Sequence, residues 1–297
     1  MWLRSNSARS GLSLAELVVV IALLGLTGAG IGSAILSQQR FHRDASALLD
    51  ARQGVRDAME VLSGDIRGSW PADTLRLMAD SALELFATIG ASVACRTTSG
   101  GAISLAAESA TGNTLSSFLV APDSGDVALV FRRSSDETAG RWERHRIADF
   151  GTRSSVVGCL IDGTGPAEGF VVNLGAIPEP ALQPGASIRF IRRARYSLYR
   201  SSDGSWHLGY RRCTAVGCAA IQPLSGPYRR YSPDETQTGF LFEYFDSEGV
   251  RLGGDSPLSV ARIDVTARSE KTRGTRARGP GNPPPESATA SIALRNR

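Results

Sequence analysis

A long apolar run near the N-terminus constrains this chain more than any other feature. From Leu12 to Leu36 there are 25 residues and a single charged side chain, Glu16. At about 1.5 Å of rise per residue, a helix of that length covers about 37 Å, which exceeds the roughly 30 Å hydrocarbon core of a bilayer. The run therefore predicts a transmembrane helix over 12–36.

The lone carboxylate of Glu16 needs a partner, because a charge at the bilayer centre costs roughly 2.5–3.5 kcal/mol on insertion scales. Glu16 follows Leu12 by four residues, which places both on one helix face. A cut between Gly11 and Leu12 would create an amine at Leu12 that could pair with this carboxylate, within the chain or on a neighbouring subunit. We therefore expect Glu16 to act in assembly.

Gly11 is followed by Leu-Ser-Leu-Ala-Glu and then by Leu-Val-Val-Val-Ile-Ala-Leu-Leu-Gly. This stretch resembles the prepilin cleavage and methylation motif of type IV pilins and type II secretion pseudopilins. The resemblance implies that a membrane prepilin peptidase cuts between Gly11 and Leu12, removes the leader peptide 1–11 and methylates the new N-terminus at Leu12. It also implies that the helix becomes the core of a filament.

Two positions depart from that family pattern. Leu12 stands where the family usually has Phe, and the frequent mid-segment proline is missing. Four glycines weaken the helix instead, by about 1 kcal/mol each relative to Ala; they are Gly25, Gly28, Gly30 and Gly32. A cleavable signal peptide or a simple signal anchor would tolerate much of this composition, but neither explains Gly11 and Glu16 together.

The charges before the apolar run predict its orientation. Arg4 and Arg9 directly precede it, which favours a cytoplasmic N-terminus and an extracytoplasmic C-terminal domain. The resemblance places such a protein as a single-pass protein of the inner membrane with a periplasmic head. Without these two arginines the chain has 31 basic residues against 29 acidic ones, so charge balance alone indicates no nucleic-acid partner.

The four cysteines, Cys95, Cys159, Cys213 and Cys218, fit an oxidising compartment. Three pairings are open, and the short spacing favours a local disulfide between Cys213 and Cys218, which leaves Cys95 with Cys159. The alternative is a metal site made by Cys213, Cys218 and His207, but the spacing matches no common zinc pattern. We expect two disulfides, no metal and no cofactor.

The helix is predicted to continue to residue 67 as an amphipathic rod, because apolar residues recur at three and four positions. This stripe comprises Leu48, Arg52, Val55, Met59, Leu62 and Ile66, beside Leu49, Ala51 and Ala58. Trp70 and Pro71 end it, since the residue before proline disfavours the helical conformation. We therefore expect a helix over 12–67 and a head domain over 70–297.

The head domain reads as short β-rich runs between turn residues. The predicted strands are Leu83–Thr88, Ser116–Ala121, Val127–Arg132, Trp142–Ile147, Val156–Ile161, Gly169–Leu174, Ser187–Arg200, Trp206–Arg212, Gly239–Phe245 and Ser259–Arg268. Phe240, Phe242 and Tyr244 alternate with their neighbours, so one aromatic face can cover a helix. The predicted fold class is α+β, a pilin-like long helix packed on an antiparallel, β-rich head.

The C-terminal part, from Gly239 to the closing Ser-Ile-Ala-Leu-Arg-Asn-Arg, resembles the larger minor pilins of the W type and pseudopilins of the J type. Residues 269–286 are basic, then rich in proline and glycine, and are expected to form a mobile loop. Such a loop can touch DNA phosphates, because those contacts need only positive charge, although a solvated role is the commoner one.

The sequence offers no recognisable catalytic set. It lacks a Gly-x-Ser-x-Gly elbow, a His-Glu-x-x-His motif and a phosphate-binding loop, and His42, His145 and His207 lie in separate elements. The resemblance implies a non-enzymatic filament subunit whose partners are other pilins or pseudopilins, the prepilin peptidase and the inner-membrane assembly platform. The alternative is a membrane-anchored extracytoplasmic enzyme or binding protein that uses the middle region, 69–225.

Overall fold

The computed structural model describes residues 13–69, 75–97, 101–107, 114–133, 140–156, 167–176, 182–270 and 287–294. These ranges contain one helix, α1 (Leu14–Gly68), and fourteen strands. The strands are β1 (Leu77–Met78), β2 (Ala82–Thr97), β3 (Ala102–Ala106), β4 (Ser117–Phe118), β5 (Val127–Arg133), β6 (Gly140–Val156), β7 (Ala167–Leu174), β8 (Ser187–Arg200), β9 (Trp206–Cys213), β10 (Gln222–Tyr228), β11 (Phe240–Phe245), β12 (Arg251–Leu252), β13 (Arg262–Arg268) and β14 (Ser287–Ala293). The predicted α+β class, a long apolar helix and a large antiparallel head, is confirmed.

The second half of α1 belongs to the same compact unit as the strands, so this unit begins at Ala51 rather than at residue 70. Its buried face consists of Ala51, Val55, Ala58, Leu62 and Ile66. Their spacing of four, three, four and four residues follows one side of the helix. Two members of the predicted stripe were wrong, because Leu49 is 62% exposed and Arg52 is exposed as well.

The buried face of α1 packs in a core that we call the helix core. Leu62 and Ile66 lie there with the aromatic face of β11, Phe240, Phe242 and Tyr244, as the alternation in the sequence predicted. Strands β2, β8 and β9 contribute further apolar side chains, and so do β13 and β14. The Thr88 hydroxyl donates to the Gly68 carbonyl at 2.6 Å, which satisfies one of the orphan acceptors at the end of α1.

Six strands of the larger sheet close into a small barrel. Strand β2 pairs with β3, β3 with β7, β7 with β6, β6 with β5, β5 with β8, and β8 again with β2, all antiparallel. Their inward side chains, among them Ile103, Val130, Val172 and Phe190, form a second core inside the barrel. Strands β11–β14 form a separate sheet in the order β12-β11-β13-β14.

Several strand boundaries differ from the predictions. Strands β2 and β6 are much longer than Leu83–Thr88 and Trp142–Ile147, because polar residues on their outward faces interrupt the apolar pattern. Only Ser117–Phe118 of Ser116–Ala121 is strand, and β13 begins at Arg262 rather than at Ser259. Strands β1, β3, β10 and β12 were not predicted. The leader 1–11, residues 157–161 and nearly all of the loop 269–286 lie outside the described residues.

Candidate membrane and assembly segment

The first half of α1 exposes apolar side chains on every side. Leu14, Leu17, Leu23, Leu24 and Leu26 are between 51% and 81% exposed. The valines and isoleucines between them are exposed to a similar degree. A helix that is apolar all round is typical of a membrane span or of a helix buried among others. This helix is long and apolar enough to cross a membrane.

The polar groups inside this span are satisfied by the helix itself. The Thr27 hydroxyl donates to the Leu23 carbonyl at 2.8 Å, and the Ser33 hydroxyl donates to the Gly30 carbonyl at 2.8 Å. Both hydroxyls therefore keep a hydrogen-bond acceptor in a hydrocarbon environment, where water is absent. A Cβ atom built at Gly28 or Gly32 meets nothing within 4 Å, so neither glycine is needed for space within this chain.

Glu16 closes the first turn of α1. Its Oε2 accepts from the Ser13 backbone N–H at 2.9 Å, while the Ser13 Oγ accepts from the Glu16 backbone N–H at 3.2 Å. This reciprocal pair is a capping box, which the spacing Ser-x-x-Glu at 13–16 signals in the sequence and which our sequence reading missed. Gly11 and Leu12, the residues of the expected cleavage site, lie outside the described residues.

The disulfide between Cys213 and Cys218 was predicted correctly. It closes the short turn after β9, whose tip carries Val216, a side chain that is 99% exposed. Cys95, on β2, is also disulfide-bonded. Its expected partner Cys159 lies outside the described residues.

The disulfide removes the sulfur ligands that a metal site would need. Within the described ranges, the only group with metal-ligand spacing is Glu84 with Cys213 and Cys218. A disulfide sulfur is not a thiolate, and the thiolate is the metal-binding form of cysteine. Glu84 is itself paired with Arg193 and Arg195, whose positive charges oppose a cation there.

The buried charges of the head are held in ion pairs. Asp126 is 2% exposed, and its Oδ2 accepts from the Arg192 Nη2 at 2.6 Å, while the Arg192 Nε donates to Oδ1 at 3.0 Å. This hydrogen bond raises the pKa of Arg192, although burial opposes the shift. Arg212 adds a second contact to Asp126 at 3.3 Å. Such pairs fix strand positions, and no sequence pattern indicated them.

A serine, a histidine and an aspartate meet at the turn between β8 and β9, but not in a catalytic arrangement. The Ser205 Oγ lies 2.8 Å from the His207 Nε2 and donates to the Asp203 Oδ1 at 2.6 Å. In a catalytic triad the carboxylate orients the histidine and the histidine takes the serine proton. Here the Asp203 carboxylate instead accepts the hydrogen bond from the Ser205 hydroxyl. That bond lowers the pKa of Asp203, as in an ordinary Asx turn.

No protein-family model, no curated protein and no solved structure matches this chain.

Proposed function

We propose that this chain is a minor pilin or pseudopilin, a non-enzymatic structural subunit of a type IV pilus or a type II secretion-like filament. In this proposal the prepilin peptidase processes it and it acts in filament initiation or assembly. One observation supports this proposal most strongly. The first half of α1 exposes large apolar side chains on all sides and has one carboxylate at its start.

The exposed apolar surface needs two successive environments in this proposal. Burying apolar surface is worth about 25 cal/mol per Å², so the bare half of α1 would not stay in water. The inner membrane covers it before assembly, and the equivalent helices of other pilins or pseudopilins cover it in the filament. The head remains extracytoplasmic, where its disulfides are stable.

Processing is tested by replacing Gly11 with Val, because the peptidase must fit a small residue before the cut. We expect the wild-type protein from the filament fraction to begin at Leu12 with one added methyl group. Gly11→Val should stay uncleaved in the membrane. Mass spectrometry of the intact N-terminus decides, and a wild-type protein that begins at Met1 or near Ser33 contradicts the proposal.

The role of Glu16 is tested with two variants that separate assembly from helix capping. Glu16→Gln removes the carboxylate that would pair with the processed amine of Leu12, so the membrane level should hold while the filament level falls. Ser13→Ala removes the side-chain half of the capping box but keeps the carboxylate. The filament level should therefore fall in Glu16→Gln and hold in Ser13→Ala.

Immunoblots of the membrane fraction and of the sheared filament fraction measure both levels. Equal loss of filament protein in the two variants would assign the effect to the helix start rather than to a partner subunit. Equal incorporation of Glu16→Gln and wild type would leave the carboxylate without an assembly role.

A further inference from the structure

Three edge strands of the two sheets are protected against pairing with another chain. Strands β1 and β12, each at one end of a sheet, have only two residues. Strand β10, at the opposite end of the larger sheet, contains Pro223 and Pro227, and its register with β9 shifts twice. Short edge strands, prolines and irregular register are features by which proteins keep a sheet edge from adding a foreign strand.

Strand β14 has none of these features. Its seven residues, Ser287–Ala293, pair with β13 in one unbroken register and include no proline, glycine or charged side chain. It stands last in the sheet order β12-β11-β13-β14, so among the described residues β13 is its one neighbouring strand. A full edge of backbone donors and acceptors therefore has no strand beside it in the described part of the chain.

The register shows which backbone groups point to this edge. Arg268 of β13 donates its backbone N–H to the Gly239 carbonyl at 2.7 Å, so it turns toward β11 and away from Ser287, its partner on β14. At the other end, the Leu294 N–H donates to the Ala261 carbonyl at 2.8 Å. Bonded and non-bonded pairs alternate along an antiparallel ladder, so every second residue of β14 points its N–H and C=O away from β13. We call these residues the β14 edge; they are Ser287, Thr289, Ser291 and Ala293.

The two faces of β14 differ in chemistry. All residues of the β14 edge are exposed, and their side chains lie on the outer face, where the Ser291 hydroxyl donates to the Asp264 Oδ1 at 2.6 Å. The residues between them face the helix core. Ile292 is buried there, whereas Ala288 and Ala290 pack against that core and are only partly buried. The rim of the helix core is therefore incompletely covered at β14.

We infer that the β14 edge binds an extended strand of another protein, in which valine, isoleucine or another large apolar residue alternates with serine or threonine. The incoming strand runs antiparallel to β14, as β13 does, and its backbone bonds to the β14 edge. Its apolar residues lie beside Ala288 and Ala290 and extend the helix core, while its hydroxyls lie beside Thr289 and Ser291. This inference does not depend on the filament role.

A second copy of β14 is a poorer occupant than such a strand. In an antiparallel pair the bonded residues face one another, so the register that uses the whole edge pairs Thr289 with Ser291 and places Ala290 opposite Ala290. That register adds only another alanine beside Ala290, and the rim of the helix core remains partly exposed. The β14 edge carries no charge, which favours an uncharged strand.

The test uses the full chain in a neutral detergent and two synthetic peptides, both with the sequence Thr-Val-Thr-Val-Thr-Val-Thr. In the strand peptide the valines are N-methylated, which leaves the threonine N–H groups able to bond to the β14 edge and blocks the opposite side of the peptide. In the control peptide the threonines are N-methylated instead, so the composition is the same. Hydrogen exchange resolved to single amides measures protection at the β14 edge.

In the chain without peptide we expect fast exchange at Thr289 and Ser291, and slow exchange at Ala290 and Ile292, which are bonded to β13. At about 1 mM, the strand peptide should slow exchange at the β14 edge about tenfold, which corresponds to a dissociation constant of about 0.1 mM. The control peptide should leave the exchange rates unchanged. Both peptides act on the wild-type chain, so this comparison does not depend on the stability of a variant.

Two substitutions at one position locate the bound peptide on β14. Thr289→Pro removes an outward-facing N–H, which an edge strand tolerates because the missing donor faces solvent. Thr289→Val keeps that N–H, and both substitutions remove the hydroxyl that lies 3.0 Å from the Thr266 Oγ1. We expect the strand peptide to protect the edge of Thr289→Val as it does wild type, and to leave Thr289→Pro unprotected.

The inference is overturned if the strand peptide leaves exchange at the β14 edge unchanged, or if the two peptides slow it equally. It is also overturned if the strand peptide protects Thr289→Pro and Thr289→Val to the same extent. Slow exchange at the edge without peptide overturns it as well. Protection that grows with protein concentration would then assign the edge to a second copy, and protection that does not would assign it to other residues of the same chain.

Discussion

The two halves of α1 are both helical, but they differ in how much of their apolar surface is exposed. In the half from Leu14 to Asp50, large apolar side chains are exposed in every direction. In the half from Ala51 to Gly68, one stripe is buried in the helix core while Val61, on another side, is 42% exposed. The buried stripe of the second half is covered by its own chain, whereas the large apolar side chains of the first half are left exposed by it.

Helix formation and burial are therefore separate properties of α1. Both halves form most of their backbone hydrogen bonds within the helix, so the backbone does not distinguish them. The apolar pattern then sets what kind of neighbour is needed: a stripe predicts one packed face, and an uninterrupted run predicts a surrounding medium.

The largest effect should come from emptying the buried stripe. Leu62→Ala should lower the free energy of unfolding of the head by about 2–5 kcal/mol, because Leu62 is fully buried and its loss leaves a cavity. Leu24→Ala, at a side chain that is 65% exposed, should leave it unchanged. Urea unfolding in detergent, followed by tryptophan fluorescence, measures both variants. Equal losses would mean that the two halves do not differ in this way.

An added positive charge should disturb the first half of α1 more than the second. Leu24→Arg places a cation at the middle of the expected span and should cost about 2.5–3.5 kcal/mol of membrane insertion. Val61→Arg adds the same charge at an exposed position of the second half and should be tolerated. Extraction of membranes at alkaline pH separates integral protein from peripheral protein. If both variants remain integral to the same extent, the first half is not the membrane anchor.

A smaller effect is expected from the hydrogen bond that joins the second half to β10. The Tyr228 hydroxyl donates to the Gly54 carbonyl at 2.9 Å and lies 2.7 Å from the Ser225 Oγ. Tyr228→Phe keeps the ring in the core and should cost about 1–2 kcal/mol of unfolding free energy. Tyr231→Phe, which removes an exposed hydrogen bond to Asp80, should cost less. The same urea titration compares them, and the reverse order would contradict the assignment.

The smallest effect concerns Asp65, on the second half of α1. Burial raises its pKa, although a hydrogen bond from the Tyr196 hydroxyl acts against the shift. The folded chain therefore binds this proton more tightly than the unfolded chain. The stability that Asp65 contributes should be present below its ordinary pKa of 3.8 and lost as pH rises through the raised value.

Asp65→Asn removes this titration, so the stability of the variant relative to wild type should increase as pH rises from about 4 to 7. Tyr196→Phe removes the opposing hydrogen bond and should strengthen the pH dependence of wild type. Urea midpoints at several pH values give the test. A difference between Asp65→Asn and wild type that does not change with pH would show that the carboxylate does not titrate in this range.

Local patterns in the sequence were sufficient for the elements that repeat a simple period. The apolar run predicted the exposed half of α1, and Phe240, Phe242 and Tyr244 predicted the face of β11 that meets the helix core. The bounds of β8, Ser187–Arg200, were also predicted as observed. The short spacing of Cys213 and Cys218 predicted their disulfide because few residues separate them.

Contacts between distant residues were not predictable in this way. The barrel closes where β2 pairs with β8, and Arg192 reaches Asp126 across 66 positions of the chain. Arg144 and Arg189 share one face of the sheet because both pair with Leu129, and this appears only once register is fixed. The capping box of Ser13 and Glu16, in contrast, could have been predicted from the spacing Ser-x-x-Glu, although we did not predict it.

The amino-acid sequence is sufficient to identify one helix as long and apolar enough to cross a membrane, because 25 consecutive residues carry a single charge. It also determined an antiparallel, disulfide-bonded head. The tertiary structure is needed to establish which strands close the barrel and which carboxylates lie buried under guanidinium groups. These features depend on pairings between distant strands, whose free energy is gained only when the whole sheet forms.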